Sequence, residues 1–165
     1  MDPDSWQALT GLAAELEASA LGEWMRSSDR AYPVVNLVHL LGLVLLIGPM
    51  LLLDLRLLGV ARHYPLPAVS ATLTAWAIVG LLLLLPSGAL MFTADAVPLL
   101  TNPLLQVKLL LIALGIANAL LFRLMWSDRL DEWDLVRPRA GQVQAALSAV
   151  CWLCAGTLGR LIAYG

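Results

Sequence analysis

Four long apolar segments follow one another along the chain, separated by short polar stretches that contain proline. A transmembrane helix needs about 20 predominantly apolar residues, and each segment is long enough to cross a bilayer. The segments cover residues 32–60, 69–92, 104–126 and 142–164. The pattern predicts an all-α fold, a bundle of four transmembrane helices that occupies residues 32–165.

The first 31 residues have a different pattern, in which apolar and acidic positions alternate with helical spacing. The apolar set includes Trp6, Leu9, Leu16 and Trp24. Such spacing predicts an amphipathic helix over residues 3–28 that lies at the membrane surface or against the bundle. No basic region precedes an apolar core here, so we expect no cleavable signal peptide and expect the first span to direct insertion.

The composition agrees with a membrane protein and excludes one common class of partner. The 165 residues are 60% hydrophobic and 13% charged, and the mean hydropathy is +0.81. Soluble domains are about 45–50% apolar and about 25% charged. The net charge of −2 gives no basic footprint for nucleic acid, so the lipid bilayer is the expected partner.

Basic residues are distributed unequally between the two ends of the predicted bundle. One end carries Arg56, Arg62, Arg123, Arg129, Arg137 and Arg139. The other end carries Arg26, Arg30, Lys108 and Arg160. Because loops rich in lysine and arginine stay in the cytoplasm, we expect a multi-pass protein with both termini outside the cytoplasm, which for a bacterial inner membrane is the periplasm.

A single histidine, His39, lies inside the first apolar segment, where an ionisable residue usually has a partner or a function. At 1.5 Å per residue, it lies roughly 10 Å inside its span, with Lys108 roughly 6 Å and Arg160 roughly 7 Å inside theirs. Asn36 is one turn from His39 on the same helical face, and a kink expected at Pro86 falls at a similar depth. These positions predict a polar layer near the periplasmic surface.

This layer allows a structural and a functional interpretation. In the first, Lys108 and Arg160 reach the interface with their long side chains, and His39 bonds to a carbonyl or to Asn36. In the second, His39 ligates a metal or heme iron, because neutral imidazole is a common ligand for both. Lys108 and Arg160 would then pair with heme propionates or with another anion.

The inventory of ligands limits the second interpretation. The chain has two histidines, and His63 lies in a loop at the opposite end of the bundle. A heme at His39 would therefore be five-coordinate, use a methionine such as Met91, or lie between subunits. A three-ligand zinc site has no ligand set. Cys151 and Cys154 lie in mid-span, where thiolates are disfavoured, so redox or copper chemistry there is a minor alternative.

Two further patterns concern packing. Asp54 and Arg56 predict a topology anchor with local ion pairing or, alternatively, a contact with another helix or with the third loop. Small residues recur every four positions in the last two spans, at Ala113/Ala117, Gly115/Ala119, Gly141/Ala145/Ala149 and Ala155/Gly159. Such faces permit close packing within the chain, in a homo-oligomer or in a larger membrane complex.

Several motifs resemble those of an uncharacterised family of small bacterial four-span membrane proteins. They are Tyr32-Pro33, V-H-L-L-G-L-V-L-L-I-G and D-L-R-L-L-G in the first span, P-S-G-A-L-M-F in the second, and N-P-L-L-Q-V-K before the third. The resemblance extends from about Leu21 to Asn118. It implies the four-span fold and no particular activity.

A histidine early in the first span and a lysine early in the third also resemble, more distantly, two other groups. These are the heme-containing protoporphyrinogen oxidases of bacterial inner membranes and the copper-resistance D family. The first resemblance implies that His39 is an axial ligand of heme b with Lys108 as a companion, and the second implies that His39 binds copper.

Three functions therefore compete. The leading hypothesis is a protein that binds b-type heme and acts in redox chemistry or electron transfer. The alternatives are a transporter of copper, protons or anions, and a non-catalytic subunit that assembles through its small-residue faces. Whether the chain is an enzyme is left open by its residues.

Overall fold

The computed structural model describes residues 3–162, and within them it contains helices and turns but no strand. The helices are α1 (Pro3–Ala18), α2 (Ala20–Ser27), α3 (Ala31–Leu57), α4 (Leu66–Ala94), α5 (Ala96–Thr101), α6 (Pro103–Trp126), α7 (Trp133–Val136) and α8 (Arg139–Leu161). A short 3-10 turn, Ser127–Arg129, follows α6. The predicted all-α fold is confirmed.

Four of these helices, α3, α4, α6 and α8, are long and apolar enough to cross a membrane. Their most apolar windows have mean hydropathies of 2.3, 2.2, 2.1 and 1.2. Many leucines and valines on these helices point outward, where hydrocarbon would surround them. The chain is therefore an integral membrane protein built as a four-helix bundle.

The four spanning helices do not contact one another equally. Helix α3 packs along α4, α6 packs along α8, and α3 packs against α8. Among the described residues, α4 and α6 share no extended contact. The backbones of α4 and α6 therefore do not approach each other closely.

The two ends of the bundle differ in what covers them. We name the end where α3 begins the His39 end, and the end where α3 terminates the Asp54 end. Three apolar clusters lie along the axis from one end to the other. At the His39 end the cluster comprises Met25, Ala31 and Ala94. The middle cluster comprises Leu46, Met50, Ala77 and Trp152. At the Asp54 end the cluster comprises Leu53, Leu57, Leu66, Trp126, Leu130, Trp133 and Ala145.

The N-terminal segment lies against the His39 end of the bundle. The sequence predicts one helix there, but Ser19 interrupts it and caps the start of α2 with its hydroxyl. Arg26 donates to the carbonyl of Ala94 at 3.0 Å, and the Glu17 carboxylate accepts from the backbone N–H of Val97 at 3.0 Å. These bonds attach α1 and α2 to the junction of α4 and α5.

Prolines lie in the first turn of α4 and in its interior. The helix begins at Leu66 and tolerates Pro67 in its first turn, because a proline there loses only an N–H that has no helical partner. It also continues through Pro86 to Ala94 without a break. The residue after Pro86 therefore stays in register with the rest of α4 and faces the interior.

Candidate functional site

The side chain of His39 is anchored to α4 through one of its two ring nitrogens. Its Nδ1 lies 2.9 Å from Ser87 Oγ, and Ser87 Oγ lies 2.5 Å from the carbonyl oxygen of Leu83. A hydroxyl has one proton to donate, and the carbonyl can only accept. The Ser87 proton therefore goes to Leu83, and Nδ1 must carry the hydrogen that Ser87 accepts. This assignment leaves Nε2 with its lone pair, the form of nitrogen that ligates metals.

The segment of α4 opposite His39 is shaped to receive the imidazole. Ser87 is buried, and its hydroxyl bonds back to the preceding turn, as serine commonly does inside helices. At Gly88 a Cβ atom would lie 3.2 Å from His39 Cε1, so any side chain there would press on the ring. The Pro-Ser-Gly sequence thus supplies a hydroxyl and a bare stretch of backbone at the same level.

Lys108 approaches the same level from α6. Its charge is close enough to act on His39. The side chain lies along Gly159 of α8, where a Cβ atom would be 3.1 Å from Lys108 Nζ. The structure thus brings together two of the residues that depth alone predicts as neighbours, and the small residue Gly159 makes room for the lysine.

The other residues of the predicted layer lie around this pair. Asn36 is half-buried one turn from His39 on α3, and Arg160 is exposed at the residue after Gly159. Met91 is one turn beyond Ser87 and packs against the apolar cluster of the His39 end. Their assignment to a cofactor stays a prediction.

A second polar arrangement lies at the Asp54 end, around Arg56. The Arg56 guanidinium is buried and donates to both carboxylate oxygens of Asp134, at 3.0 and 2.6 Å. It also donates to the carbonyl oxygen of Tyr64 at 2.9 Å. The hydrogen bonds from Arg56 hold the pKa of Asp134 below its ordinary value. The sequence allows Arg56 either to pair locally or to contact the third loop, and the structure shows the contact with Asp134 of that loop.

Asp54 is not the partner of Arg56, although only one residue separates them. It forms no ion pair with any residue from 3 to 162. Its carboxylate lies beside the hydroxyl of Ser148 on α8. Sequence reasoning missed Ser148 and Trp152, whose spacing of one helical turn places both on a single face of α8. The sequence shows the spacing of Ser148 and Trp152, but it does not show that this face of α8 points into the bundle.

The remaining candidate ligands are dispersed. Within residues 3–162, no group of three or more His, Cys, Asp or Glu side chains is arranged to hold a metal ion. Cys151 Sγ donates to the carbonyl of Leu111 on α6 at 3.0 Å, and Cys154 is exposed. His39 therefore stands as a single imidazole in the layer that it shares with Lys108.

Comparison with known proteins adds a family to this geometry. No curated protein and no solved structure matches the chain. A family model described as a family of unknown function, DUF6644, matches residues 15–165, and the chain belongs to this family.

Proposed function

We propose that this DUF6644 protein binds b-type heme at the His39 end of its bundle and acts in electron transfer in a bacterial inner membrane. The proposal depends on one observation, the hydrogen-bonded chain from His39 Nδ1 through Ser87 to Leu83. Metal-bound histidines donate their other ring N–H to a polar partner, which fixes the ring and raises its basicity. His39 has this arrangement, with Ser87 as the partner.

Heme suits the surroundings of His39 better than a bare metal ion. A porphyrin brings four nitrogen ligands, so its iron needs only one or two from the protein. A zinc ion needs three or four side-chain ligands. The groups around His39 are instead a hydroxyl, a glycine and the ammonium of Lys108.

The charge of Lys108 matches the second demand of a heme, which carries two propionates. An ammonium within reach of a carboxylate forms a charge-assisted hydrogen bond. Arg160 follows Gly159, the residue that the Lys108 side chain crosses, so a second cation lies close by on α8. Snorkelling toward the interface would bring both cations to the edge of a heme bound at His39.

Bound heme would supply a one-electron couple. The work of the chain itself is to hold the His39 tautomer, to neutralise an anionic edge with Lys108, and to keep water away. The middle cluster serves the last purpose, since it separates the His39 level from the Asp54 end with apolar side chains. His39 would hold the heme, whereas Met91 would have to leave its apolar cluster to reach the same group.

Absorbance spectroscopy of the purified protein tests the proposal. Wild type prepared from heme-replete cells should show a Soret band that shifts on reduction, and His39→Ala should lose it. The matched control is His63→Ala, which removes the other, exposed histidine and should keep the band. A wild type without a Soret band, or an equal band in His39→Ala, would contradict heme binding.

Transport of copper, protons or anions is the second candidate. It requires a polar path across the bundle, whereas the middle cluster of Leu46, Met50, Ala77 and Trp152 lies between the two polar levels. Proteoliposomes distinguish the two functions. Flux that depends on His39 and Lys108 in protein without a Soret band would favour transport over heme.

Assembly through small-residue faces is the third candidate. At Gly115, Gly141 and Gly159, a Cβ atom would meet Trp152, Trp133 and Lys108 of the same chain. These glycines therefore serve packing within the bundle. Ala113 and Ala117 on α6 are exposed, so a partner chain would use that face or another outward surface of the bundle.

A further inference from the structure

A cavity of about 210 Å³ lies inside the bundle, in the part that extends from the middle cluster to the Asp54 end. Residues of all four spanning helices line it, and most of its wall is apolar. Leu46 and Leu53 of α3, Ile116 and Phe122 of α6, and Ala77 of α4 are among them. The cavity is separate from the level of His39.

Three buried polar atoms in the wall lack a hydrogen-bond partner within residues 3–162. They are Asp54 Oδ2, Ser148 Oγ and Trp152 Nε1. These residues are 3%, 3% and 2% exposed, and all three line the cavity. Buried polar groups in folded proteins are almost always paired, and each exception needs an explanation. Ser148 lies beside Asp54 and can serve one of its oxygens, but Trp152 Nε1 and the remaining capacity of the Asp54–Ser148 pair point to a molecule that supplies partners.

The cavity opens toward the hydrocarbon of the membrane. Ile78 on α4 and Leu120 on α6 line it, yet they are 52% and 59% exposed. They lie on the two helices that share no extended contact among the described residues. A molecule can therefore enter sideways from the bilayer, so the expected ligand dissolves in lipid.

The size of the cavity indicates the size of the group that fits it. An apolar cavity of about 150 Å³ binds benzene. The larger volume here, about 210 Å³, has room for one six-membered ring with small substituents. Trp152 and Phe122 provide aromatic wall, and a chain attached to the ring would leave between Ile78 and Leu120.

The unpartnered atoms specify the hydrogen bonds that the ring must make. Trp152 Nε1 can only donate, so the ligand must carry an acceptor. Asp54 as a carboxylate can only accept, so the ligand must carry a donor as well. Ser148 lies beside Asp54 and can do either. An aromatic ring with two hydroxyl groups satisfies all three atoms, whereas a hydrocarbon chain satisfies none.

We propose that this cavity binds the ring of a membrane-soluble hydroquinone, with one hydroxyl donating to Asp54 and another oxygen accepting from Trp152. The site is independent of heme at His39. The oxidised quinone has acceptors only, so it can bond to Trp152 and Ser148 but leaves the Asp54 carboxylate without a partner. While Asp54 is ionised, the reduced form therefore binds more tightly than the oxidised form.

The test uses decylubiquinol and decylubiquinone with the full chain in detergent, under anaerobic conditions, and measures affinity by calorimetry. Wild type should bind both saturably and prefer the hydroquinone by about tenfold, the ratio that one hydrogen bond of typical strength gives. In Asp54→Asn the new amide can donate to a quinone oxygen, so the preference should disappear or reverse. Trp152→Phe keeps the aromatic wall, loses the donor, and should weaken both forms by about fivefold to tenfold.

Matched controls separate this site from its surroundings. Ser148→Ala should weaken hydroquinone binding, whereas Thr157→Val should not, because the Thr157 hydroxyl bonds to Leu153 on an exposed part of the same helix. His39→Ala should leave the affinities unchanged, so loss of heme binding and loss of hydroquinone binding are distinguishable. Circular dichroism melts confirm that each variant is folded. If Asp54→Asn does not fold, the affinities of Trp152→Phe still test the proposal.

Three results would overturn the proposal. The absence of saturable binding in folded wild type would contradict a hydroquinone site in the cavity. Equal affinities in wild type, Asp54→Asn and Trp152→Phe would place the ligand elsewhere. Displacement of decylubiquinol by dodecylamine at lower concentration would identify the ligand as a lipophilic amine and not a hydroquinone.

Discussion

The Ser87 hydroxyl decides which nitrogen of His39 carries the proton, and this gives the first prediction. Ser87→Ala removes the acceptor for Nδ1–H, so the ring can rotate and change tautomer. If His39 ligates heme, affinity for heme should fall by about 10–100-fold, the usual effect of losing an outer-shell partner. Titration of the apoprotein with heme, followed at the Soret band, measures it.

Thr93→Val is the control for that substitution. It removes a hydroxyl from the same helix, one that donates to the carbonyl of Leu90 at 2.7 Å instead of contacting His39. Its heme affinity should equal that of wild type. Equal affinity in Ser87→Ala as well would show that the hydrogen bond does not tune a bound iron.

The Arg56–Asp134 pair is the residue-scale determinant of stability at the Asp54 end. Asp134→Asn leaves a buried guanidinium without its carboxylate, although Tyr64 still accepts from it. We expect a loss of about 1–2 kcal/mol, the lower part of the range for charged hydrogen bonds, because the Asp134 side chain is 38% exposed. Thermal unfolding in detergent, compared with the exposed variant Asp131→Asn, measures it.

The same pair predicts a dependence on pH. Unfolded aspartate has a pKa of about 3.9, and Arg56 lowers the pKa of Asp134 in the folded chain. The pair therefore contributes fully above about pH 4 and loses its contribution as the pH falls through the folded pKa. The difference in melting temperature between wild type and Asp134→Asn should be full at about pH 6 and smaller at about pH 3. A difference that grows on acidification would contradict this assignment.

At the scale of helices, two glycines allow α3 and α4 to cross closely. A Cβ atom at Gly80 would lie 2.5 Å from the backbone nitrogen of Leu46, and one at Gly42 would lie 2.9 Å from the carbonyl oxygen of Gly80. Backbone atoms cannot move aside as a flexible side chain can. Gly80→Ala should therefore destabilise the fold by about 1–3 kcal/mol, a typical effect of overpacking.

Gly48 provides the matched control on the same pair of helices. A Cβ atom there would meet nothing within 4 Å, so Gly48→Ala should be neutral or should stabilise by up to about 1 kcal/mol through helix propensity. Melting temperatures in one detergent compare the two variants. A destabilisation in Gly48→Ala as large as that in Gly80→Ala would show that the close approach of α3 and α4 is not the reason that position 80 requires glycine.

These glycines illustrate how far the sequence specifies the elements. Length and hydropathy predict the four spans to within a few residues, because each span must satisfy its own backbone in hydrocarbon. The rise per residue likewise predicts that His39 and Lys108 share a level. The sequence cannot show that Gly42 faces α4 whereas Gly48 faces open space. Rotation of a helix about its axis depends on its neighbours. For the same reason the sequence does not predict that Ser148 and Trp152 face the interior.

At the scale of the whole molecule, two polar levels are separated by the middle cluster. His39 and Lys108 form the level near the N-terminal segment, and Asp54 and Ser148 form the level near Arg56. The cavity beside the Asp54 level reaches the outer surface between α4 and α6, where Ile78 and Leu120 are exposed. A membrane-soluble molecule and a cofactor could thus be held in one bundle without a path for water between them.

The orientation of these levels in the membrane gives the final prediction. The Asp54 end carries six basic residues and the His39 end carries four. This difference favours a cytoplasmic Asp54 end. In a background with Cys151 and Cys154 replaced by alanine, Gln7→Cys should react with a membrane-impermeant maleimide in intact spheroplasts. Tyr64→Cys should react only after detergent has permeabilised the spheroplasts. Its reaction after permeabilisation also shows that this cysteine is accessible to the reagent. The reverse pattern would place the His39 level on the cytoplasmic side, and proposed heme binding there would then face cytoplasmic and not periplasmic redox partners.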